Sequence, residues 1–444
     1  MKINKISFYL LLGTLASLRT GGLYAQTNAS AYSMIGVGDI NYNYYDRSSG
    51  MGNSGISLSS PNGSYMYLAN PASFADLLNM YFKGELSANF KGISYSGAPL
   101  SNSTQTSSKD LQFQKILFGL KIKPWWGMGF GLKQFSSINY NFSTTEPIGG
   151  TTMSVPISIN GRGGLNQFFW INAFRVAKGL NVGMESSYLF GSQQQQKTTT
   201  ADGIVNQSNL NTTVTNYYHK IYFKGGIQYH KRLTDKWKLG LGVTGSNKSV
   251  LNGNTTYDLT QGNLSQLGVP TTIVKDSAIG TTKFTLPLTL GGGISLNYDN
   301  RWTYAIDYQR RQWKNAGNTS GSGYFYGNGQ RISGGVEYAK KQTLIQNGYI
   351  TEMERYYFQF GGYYTQGFLN VNGQRIDDFG GTLGIGVNTK QRTSYGGVGL
   401  GYMIHLNVGS MGTTSSNLVR QTYYQIGVTL SLNDFWDSRK KVID

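Results

Sequence analysis

The chain has 444 residues, with 60 glycines, 32 tyrosines, 8 prolines and no cysteine, and its formal net charge is +18. This composition is unlike that of an ordinary α/β enzyme and favours β-strands. The lack of cysteine excludes disulfide bonds and thiolate metal sites. The three histidines, His219, His230 and His405, are scattered along the chain and predict neither a metal site nor a cofactor. The positive charge indicates anionic partners, but there is no Lys/Arg cluster on a helix and no RNA-binding motif, so nucleic acid is not an expected partner.

Residues 1–25 have the pattern of a cleavable export signal. Lys2 and Lys5 precede an apolar stretch, Ile6 to Leu18, that is too short to span a bilayer as a helix. Small residues then lead to Ala25, after which we expect cleavage. No later segment is apolar for long enough to predict a transmembrane helix.

Residues 26–79 lack regular alternation and carry several glycines together with Pro61 and Pro71. Because β-strands are predicted from residue 80 onward, this segment must either hang outside a barrel or fold into its lumen. A barrel of about fourteen strands is wide enough to leak if its lumen is empty. We therefore expect residues 26–79 to form a lumenal hatch, or plug.

Residues 80–436 repeat one pattern, in which apolar residues alternate with small or polar ones and a turn follows. In Phe284 to Tyr298, one face carries five leucine or isoleucine side chains, and the other carries Thr, Pro, Gly, Ser and Asn. This alternation is typical of membrane-spanning strands, although a soluble β-sandwich gives a similar pattern. Strands are predicted near 80–92, 110–123, 127–140, 164–176, 180–190, 217–230, 236–248, 282–297, 301–314, 331–341, 355–365, 380–389, 394–407 and 418–433.

The lengths of the connections favour a membrane barrel over a sandwich. Tight turns at 124–126, 177–179, 231–235 and 299–300 alternate with long polar loops at 93–109, 141–163, 191–216, 249–281 and 315–330. An even number of strands with short turns on one side is barrel topology. The predicted fold is therefore all-β, a transmembrane antiparallel β-barrel of about fourteen strands. Short turns lie in the periplasm in such barrels, which places both termini and the tail 437–444 there. The connection 342–354 does not fit this alternation.

Tryptophan positions agree with this topology. Five of the seven tryptophans, namely Trp125, Trp126, Trp237, Trp302 and Trp436, fall at strand ends on the short-turn side. Amphipathic aromatic side chains collect at the membrane interface. Core aromatics of a soluble β-protein are the alternative.

Basic residues alternate with the lipid-facing ones and should point into the lumen. They are Lys115, Lys121, Lys220, Lys224 and Arg311. One interpretation is an electropositive path that attracts a carboxylate headgroup or another anion. The other is a set of structural pairs with Asp307, Glu185 and Glu337 or with the hatch residues Asp39, Asp46 and Asp76, or contacts to lipid phosphates near the rim.

No catalytic constellation stands out, so an enzyme is not predicted. His405 lies on the polar face of its strand without a serine or carboxylate at useful spacing. A structural histidine facing the lumen is the expected role.

The hatch segment resembles a known family. Ser49-Gly50-Met51-Gly52-Asn53-Ser54-Gly55, followed by Tyr67-Leu68-Ala69-Asn70-Pro71-Ala72-Ser73, is similar to the N-terminal region of the FadL/TodX transporters, and the runs 377–380 and 426–433 are similar to a FadL-like branch of outer-membrane barrels. The resemblance implies a Gram-negative outer-membrane protein whose hatch closes the lumen, with capture of a hydrophobic ligand on the extracellular side and passage through a gap in the wall. Of the family's residues only Asn70, Pro71 and Ala72 carry over; an ordinary turn is the alternative for Asn70-Pro71.

The expected function is thus uptake of hydrophobic or amphipathic small molecules. Two alternatives stay open: a partner barrel in an envelope secretion or assembly complex, and a general diffusion porin. The expected partners are outer-membrane lipid and lipopolysaccharide, a hydrophobic ligand and, under the first alternative, an envelope protein.

Overall fold

The computed structural model describes residues 30–435 except 61–62, 80, 98–105, 148–149, 151, 153, 201–208, 263–270, 322, 347–348 and 389–398. The expected signal 1–25 and tail 437–444 therefore lie outside the described residues. Within the described ranges, no helix is long and apolar enough to span a membrane.

The described part of the chain is dominated by β-strands. Their bounds are β1 Asp39–Ile40, β2 Tyr81–Ser96, β3 Ser107–Lys123, β4 Trp126–Pro147, β5 Ser154–Ala177, β6 Leu180–Thr199, β7 Leu210–Arg232, β8 Trp237–Ser246, β9 Ser249–Gln261, β10 Thr271–Leu286, β11 Thr289–Tyr298, β12 Trp302–Arg311, β13 Tyr324–Tyr326, β14 Gly329–Gln346, β15 Tyr349–Gln366, β16 Leu369–Val371, β17 Gln374–Arg375, β18 Asp378–Asn388, β19 Gly399–Met411 and β20 Arg420–Phe435. Short 3₁₀ turns span Ala31–Met34, Ser49–Met51, Pro71–Asp76, Trp313–Asn315 and Ser415–Asn417.

The wall is a closed antiparallel barrel of fourteen strands, which confirms the predicted fold. The sheet closes where β2 pairs with β20, from Tyr81 opposite Phe435 to Ser96 opposite Arg420. Two wall strands are interrupted: β8 continues as β9 and β10 continues as β11. Pro287, which has no N–H to donate, lies at the second interruption. Strands β13, β16 and β17 form a separate small sheet.

Several predicted loops are strands instead. Strands β4 and β5 pair out to Pro147 opposite Ser154, and β6 and β7 pair out to Thr199 opposite Leu210. These segments are polar because the strands extend beyond the band of outward-facing apolar side chains. Backbone pairing between strands does not require apolar side chains, so the pairing continues there. The predicted connection 342–354 is likewise wrong, since β14 and β15 pair there out to Gln346 opposite Tyr349.

The two faces of strands β11 and β12 are those that the alternation predicts. In β10 the prediction is wrong: Phe284 and Leu286, expected on the lipid face with Ile294, are buried in an inner cluster, because the strand is interrupted at Pro287 and the alternation does not continue across it. Along β12, Trp302, Tyr304 and Ile306 are exposed, whereas Thr303 and Asp307 are buried. Four of the five tryptophans assigned to the short-turn side lie at strand ends there; Trp436 lies outside the described residues. We call the rim with the tight turns the short-turn end, and the opposite rim the long-loop end.

Residues 30–79, which we call the hatch, lie inside the barrel. At the long-loop end the Tyr32 hydroxyl donates to the Val419 carbonyl (2.7 Å) and Gln421 Nε2 donates to Ser30 Oγ (2.9 Å). Ser30 therefore lies at the end of the barrel opposite to Phe435. The termini themselves, which were predicted to share the short-turn side, lie outside the described residues.

The hatch packs tightly because the wall presents glycines to it. A Cβ added at Gly361 would lie 2.4 Å from the Met51 carbonyl carbon, and one at Gly183 would lie 2.4 Å from the Ala72 nitrogen. Only glycine permits such close approach of two backbones. Three buried apolar clusters join hatch and wall, around Val37, around Phe74 and around Met51.

Candidate functional site

The Asn70-Pro71-Ala72 motif lies against the barrel wall. Asn70 caps the 3₁₀ turn Pro71–Asp76 by accepting from the Ala72 N–H (3.0 Å), and its amide donates to the carbonyls of Ile56 (2.9 Å) and Ile227 (3.1 Å). One side chain thus joins two parts of the hatch to strand β7. Sequence reasoning singled out these residues but could not place their contacts.

A buried ion cluster that sequence reasoning missed fixes the middle of the hatch. Arg47 donates to both oxygens of Glu337 on β14 and to both oxygens of Glu354 on β15, over 2.5–2.9 Å. Its guanidinium carbon lies 4.0 Å from the ring centroid of Tyr65 and 4.2 Å from that of Tyr357. The two-residue alternation of its strand places Glu337 on the inner face, so its inward direction was predictable from the sequence. Glu354 was not predictable in this way, because it fell in a segment predicted as a loop.

Two of the predicted lumen-facing lysines hold the hatch backbone. Lys115 is fully buried and donates to Glu85 (2.8 Å) and to the Tyr45 carbonyl (2.9 Å). Lys121 donates to the Ala75 carbonyl. These contacts favour structural pairing over an electropositive path for anions at Lys115 and Lys121. Glu85, however, was not among the acids suggested as partners.

Of the other three basic candidates, Lys224 also holds the hatch backbone. Lys224 donates to the Leu68 carbonyl (2.9 Å), and the Arg311 guanidinium carbon lies 3.9 Å from the ring centroid of Tyr42. Lys220 is half-buried and lines neither of the cavities described below.

The suggested acidic partners have different contacts. Asp307 accepts from the Ile56 N–H (2.9 Å), Asp39 lies 3.6 Å from Lys91, and Asp76 pairs with Arg175 (3.0 Å). Burial raises the pKa of the hatch residue Asp46, and Lys115 opposes that shift. Asp46 accepts from Ser48 and from the Leu68 N–H.

His405 is buried and faces the hatch, as its strand parity predicted. Its Nε2 lies 3.2 Å from Asn43 Nδ2, and its ring centroid lies 5.5 Å from that of Tyr45. Within the described ranges, no group of three His, Cys, Asp or Glu residues could hold a metal ion.

A cavity of about 160 Å³, which we call the upper cavity, lies on the long-loop side of the hatch. Its lining combines apolar side chains such as Ile35, Phe368 and Ile376 with the two arginines Arg311 and Arg331. Arg331 stacks on Tyr363 with its guanidinium carbon 3.9 Å from the ring centroid. Neither arginine forms an ion pair with a carboxylate in the part of the chain described. The cavity is therefore amphipathic.

The upper cavity reaches a point where the wall strands diverge. Pairing between β3 and β4 stops at Lys115 opposite Lys133, and beyond it β4 pairs with β5 but not with β3. The hatch spans the divergence: β1 pairs with β4 at Ile40 opposite Ser136, and Asn41 Nδ2 donates to Gln114 Oε1 on β3 (2.7 Å). Residues 39–41 thus close this part of the wall.

A second cavity, the lower cavity, has a volume of about 130 Å³ and adjoins the first across hatch residues 40–43. Lys133, Glu185, Lys224 and Arg311 are its charged lining residues. It lies beside the interruption between β10 and β11, where Leu286, Pro287 and Thr289 form part of its lining. The backbone of residues 40–43 therefore separates the two lumenal spaces.

Comparison with known proteins agrees with this architecture. A family model described as BamG matches residues 3–442. A Pseudomonas aeruginosa FadL homologue is similar in structure, with a TM-score of 0.54 and 15% identity over 91% of this chain and 99% of that chain. The CymD monoaromatic hydrocarbon channel is similar at a TM-score of 0.51 and 15% identity, over 88% of this chain and 97% of that one. At such identity the likeness establishes the fold. No curated protein matches the sequence.

Proposed function

The chain belongs to the BamG family of FadL-like outer-membrane barrels, and on that premise we propose that it takes up hydrophobic or amphipathic small molecules through a lumen that the hatch closes. In this proposal the long-loop end faces the outside of the cell and the short-turn end faces the periplasm. The similar structures carry the names of a FadL homologue and of a monoaromatic hydrocarbon channel.

The proposal rests on one observation: the upper cavity reaches the wall at the place where β3 and β4 stop pairing. Gln112 and Gln114 on β3 and Gln134 and Ser137 on β4 all line the cavity. A molecule bound there is separated from the lipid only by hatch residues 39–41. On the outer face of β3, Leu111 and Phe113 are 68% and 50% exposed, so the lipid side of the divergence is apolar.

The proposed route follows from this geometry. A ligand enters from the long-loop end and buries its apolar part in the upper cavity, while Arg311 and Arg331 accommodate a polar head. It leaves sideways when β1 separates from β4 and the Asn41–Gln114 hydrogen bond breaks. The base of the hatch, held by Arg47 and Asn70, stays in place during this step.

Locking β1 onto β4 tests the route. Ile40 and Ser136 are directly opposite each other in an antiparallel pair, and such partners have Cα atoms at a spacing that a disulfide can bridge. Ile40→Cys with Ser136→Cys should, when oxidised, block uptake of a hydrophobic fluorescent probe into liposomes, and reduction should restore it. The matched control is Tyr304→Cys with Val336→Cys, an opposed pair in the wall itself. Equal uptake by the oxidised and reduced forms of the first pair would refute the route.

A partner barrel in an envelope complex is the second candidate function. The buried Arg47 cluster favours it, because a barrel that serves as a platform needs a fixed plug and no conducting path. Purification of the full chain in mild detergent distinguishes the two: a stoichiometric protein partner together with absent probe uptake would support the platform. General diffusion is the third candidate, and the packed hatch argues against it, since a porin requires an open lumen.

A further inference from the structure

We propose that the outer face of the barrel, at the short-turn end, binds one anionic phospholipid whose phosphate is held by Lys340 of β14 and Arg355 of β15. The acyl chains of this lipid lie along Phe358 and Phe360, toward the middle of the membrane. Neither cation lines the upper or the lower cavity. The site is therefore independent of the uptake function proposed above.

A β-bulge gives this part of the outer face its positive charge. Lys340 lies opposite Tyr356. The next pair joins Lys341 to Glu354, so Arg355 is an extra residue with no partner in β14. A bulge of this kind breaks the two-residue alternation of the strand and redirects its side chains. Regular alternation would place Glu354 on the outer face together with Tyr356, whereas in the structure Glu354 is buried and Arg355 is exposed. The bulge thus removes a carboxylate from this face and leaves the two cations there.

Neither cation pairs with a carboxylate among the side chains that the structure describes. Lys340 is exposed, and its ammonium lies 5.5 Å from the ring centroid of Tyr356. Arg355 is close enough for its charge to act on Lys340. Two like charges at such a spacing repel each other, and an anion shared between them offsets that repulsion. A phosphate suits both groups, because the planar guanidinium fork matches its oxygens and the ammonium supplies a point charge.

Aromatic side chains show that the two cations lie at the level of the lipid headgroups. Trp302 and Tyr338 are opposed in the wall, with ring centroids 4.8 Å apart, and Lys340 is two residues further toward the short-turn end. Amphipathic aromatic side chains collect at the membrane interface. In the opposite direction, toward the middle of the membrane, Phe358 and Phe360 are 47% and 67% exposed. A polar head at the cations is therefore continuous with an apolar strip for the acyl chains.

The charge of the site selects the class of lipid. Phosphatidylethanolamine carries an ammonium next to its phosphate, and that ammonium is repelled by the two cations. Phosphatidylglycerol carries the same phosphate without a positive charge. Each basic side chain near the membrane surface strengthens binding of an anionic lipid, so we expect phosphatidylglycerol to bind about tenfold more tightly than phosphatidylethanolamine.

Native mass spectrometry of the full-length protein in mild detergent, titrated with each lipid, tests the proposal. The native protein should retain one phosphatidylglycerol in preference to phosphatidylethanolamine. In the double variant Lys340→Gln, Arg355→Gln the preference should fall to about one. The matched control is Lys178→Gln with Lys236→Gln, which removes the same charge from exposed tight turns at the same end of the barrel. The control should keep the preference of the native protein.

Three outcomes would overturn the proposal. Equal retention of the two phospholipids by the native protein would show that there is no selective site. An equal loss of preference in the control would show that net charge attracts the lipid without a defined site. Lipid A has phosphates of the same chemistry, and its retention in preference to phosphatidylglycerol, lost in the double variant, would assign the site to lipopolysaccharide. Heat-modifiable gel mobility of each variant shows that its barrel is folded.

Discussion

Arg47 of the hatch and Glu337 of strand β14 form a two-point ion pair inside the barrel, with Nε–Oε2 and Nη2–Oε1 distances of 2.8 Å and 2.5 Å. The side chains are 2% and 4% exposed. Glu354 completes the cluster, so one hatch arginine is paired with two wall carboxylates. The Arg47–Glu337 ion pair joins residues 290 positions apart in the sequence and anchors the middle of the hatch to the wall.

Replacing Arg47 by methionine should destabilise the protein by roughly 3–5 kcal/mol, because both carboxylates stay buried without their cation. The triple variant Arg47→Met, Glu337→Gln, Glu354→Gln should recover part of that loss, since no buried charge remains unpaired. Denaturant titration followed by heat-modifiable mobility measures both. Arg375→Gln, which removes an exposed pair with Asp377, should cost less than about 1 kcal/mol. A single variant as stable as the native protein would show that the cluster does not anchor the hatch.

Replacing Asn70 and Pro71 together by alanine should raise single-channel conductance in planar bilayers while the barrel stays folded. The change removes the amide that holds hatch residue Ile56 to the Ile227 carbonyl of the wall, and the proline that fixes the start of the 3₁₀ turn. Asn372→Ala removes a similar amide contact at the long-loop end and should leave conductance unchanged. Native protein that already conducts like a porin would instead support general diffusion.

Ile294→Arg should impair membrane assembly more than Thr289→Arg. Ile294 is 46% exposed on the outer face, and a charge at mid-depth in lipid costs about 2–4 kcal/mol. Thr289 lines the lower cavity, where an added arginine lies among polar groups rather than lipid, and Glu185 offsets part of its repulsion from Lys133, Lys224 and Arg311. The folded fraction after insertion into liposomes measures the difference. If both variants assemble equally well, the outer face assigned to β11 is not in contact with lipid.

Single cysteines introduced into this cysteine-free chain should report the orientation of the barrel. Cysteine at Asn254 or Thr212, near the long-loop end, should react with a membrane-impermeant maleimide on intact cells. Cysteine at Thr234 or Asn300, in the tight turns, should react only after the outer membrane is opened. The reverse pattern would place the short turns outside the cell, contrary to the barrel rule on which the orientation rests.

The sequence determined the wall, because lipid imposes a two-residue period on every strand that crosses it, and Ile294 and Ile306 follow that period without reference to any distant residue. It also set residues 26–79 apart, since a glycine-rich segment that breaks the period does not read as wall; that this segment closes the lumen as a hatch stays a prediction. The contacts inside the lumen were decided only by tertiary structure. Lys115 pairs with Glu85 and Arg47 with Glu337 because the hatch takes one particular path past the inward positions. Many inward polar positions satisfy the same period, and parity alone cannot choose among partners that lie hundreds of residues apart.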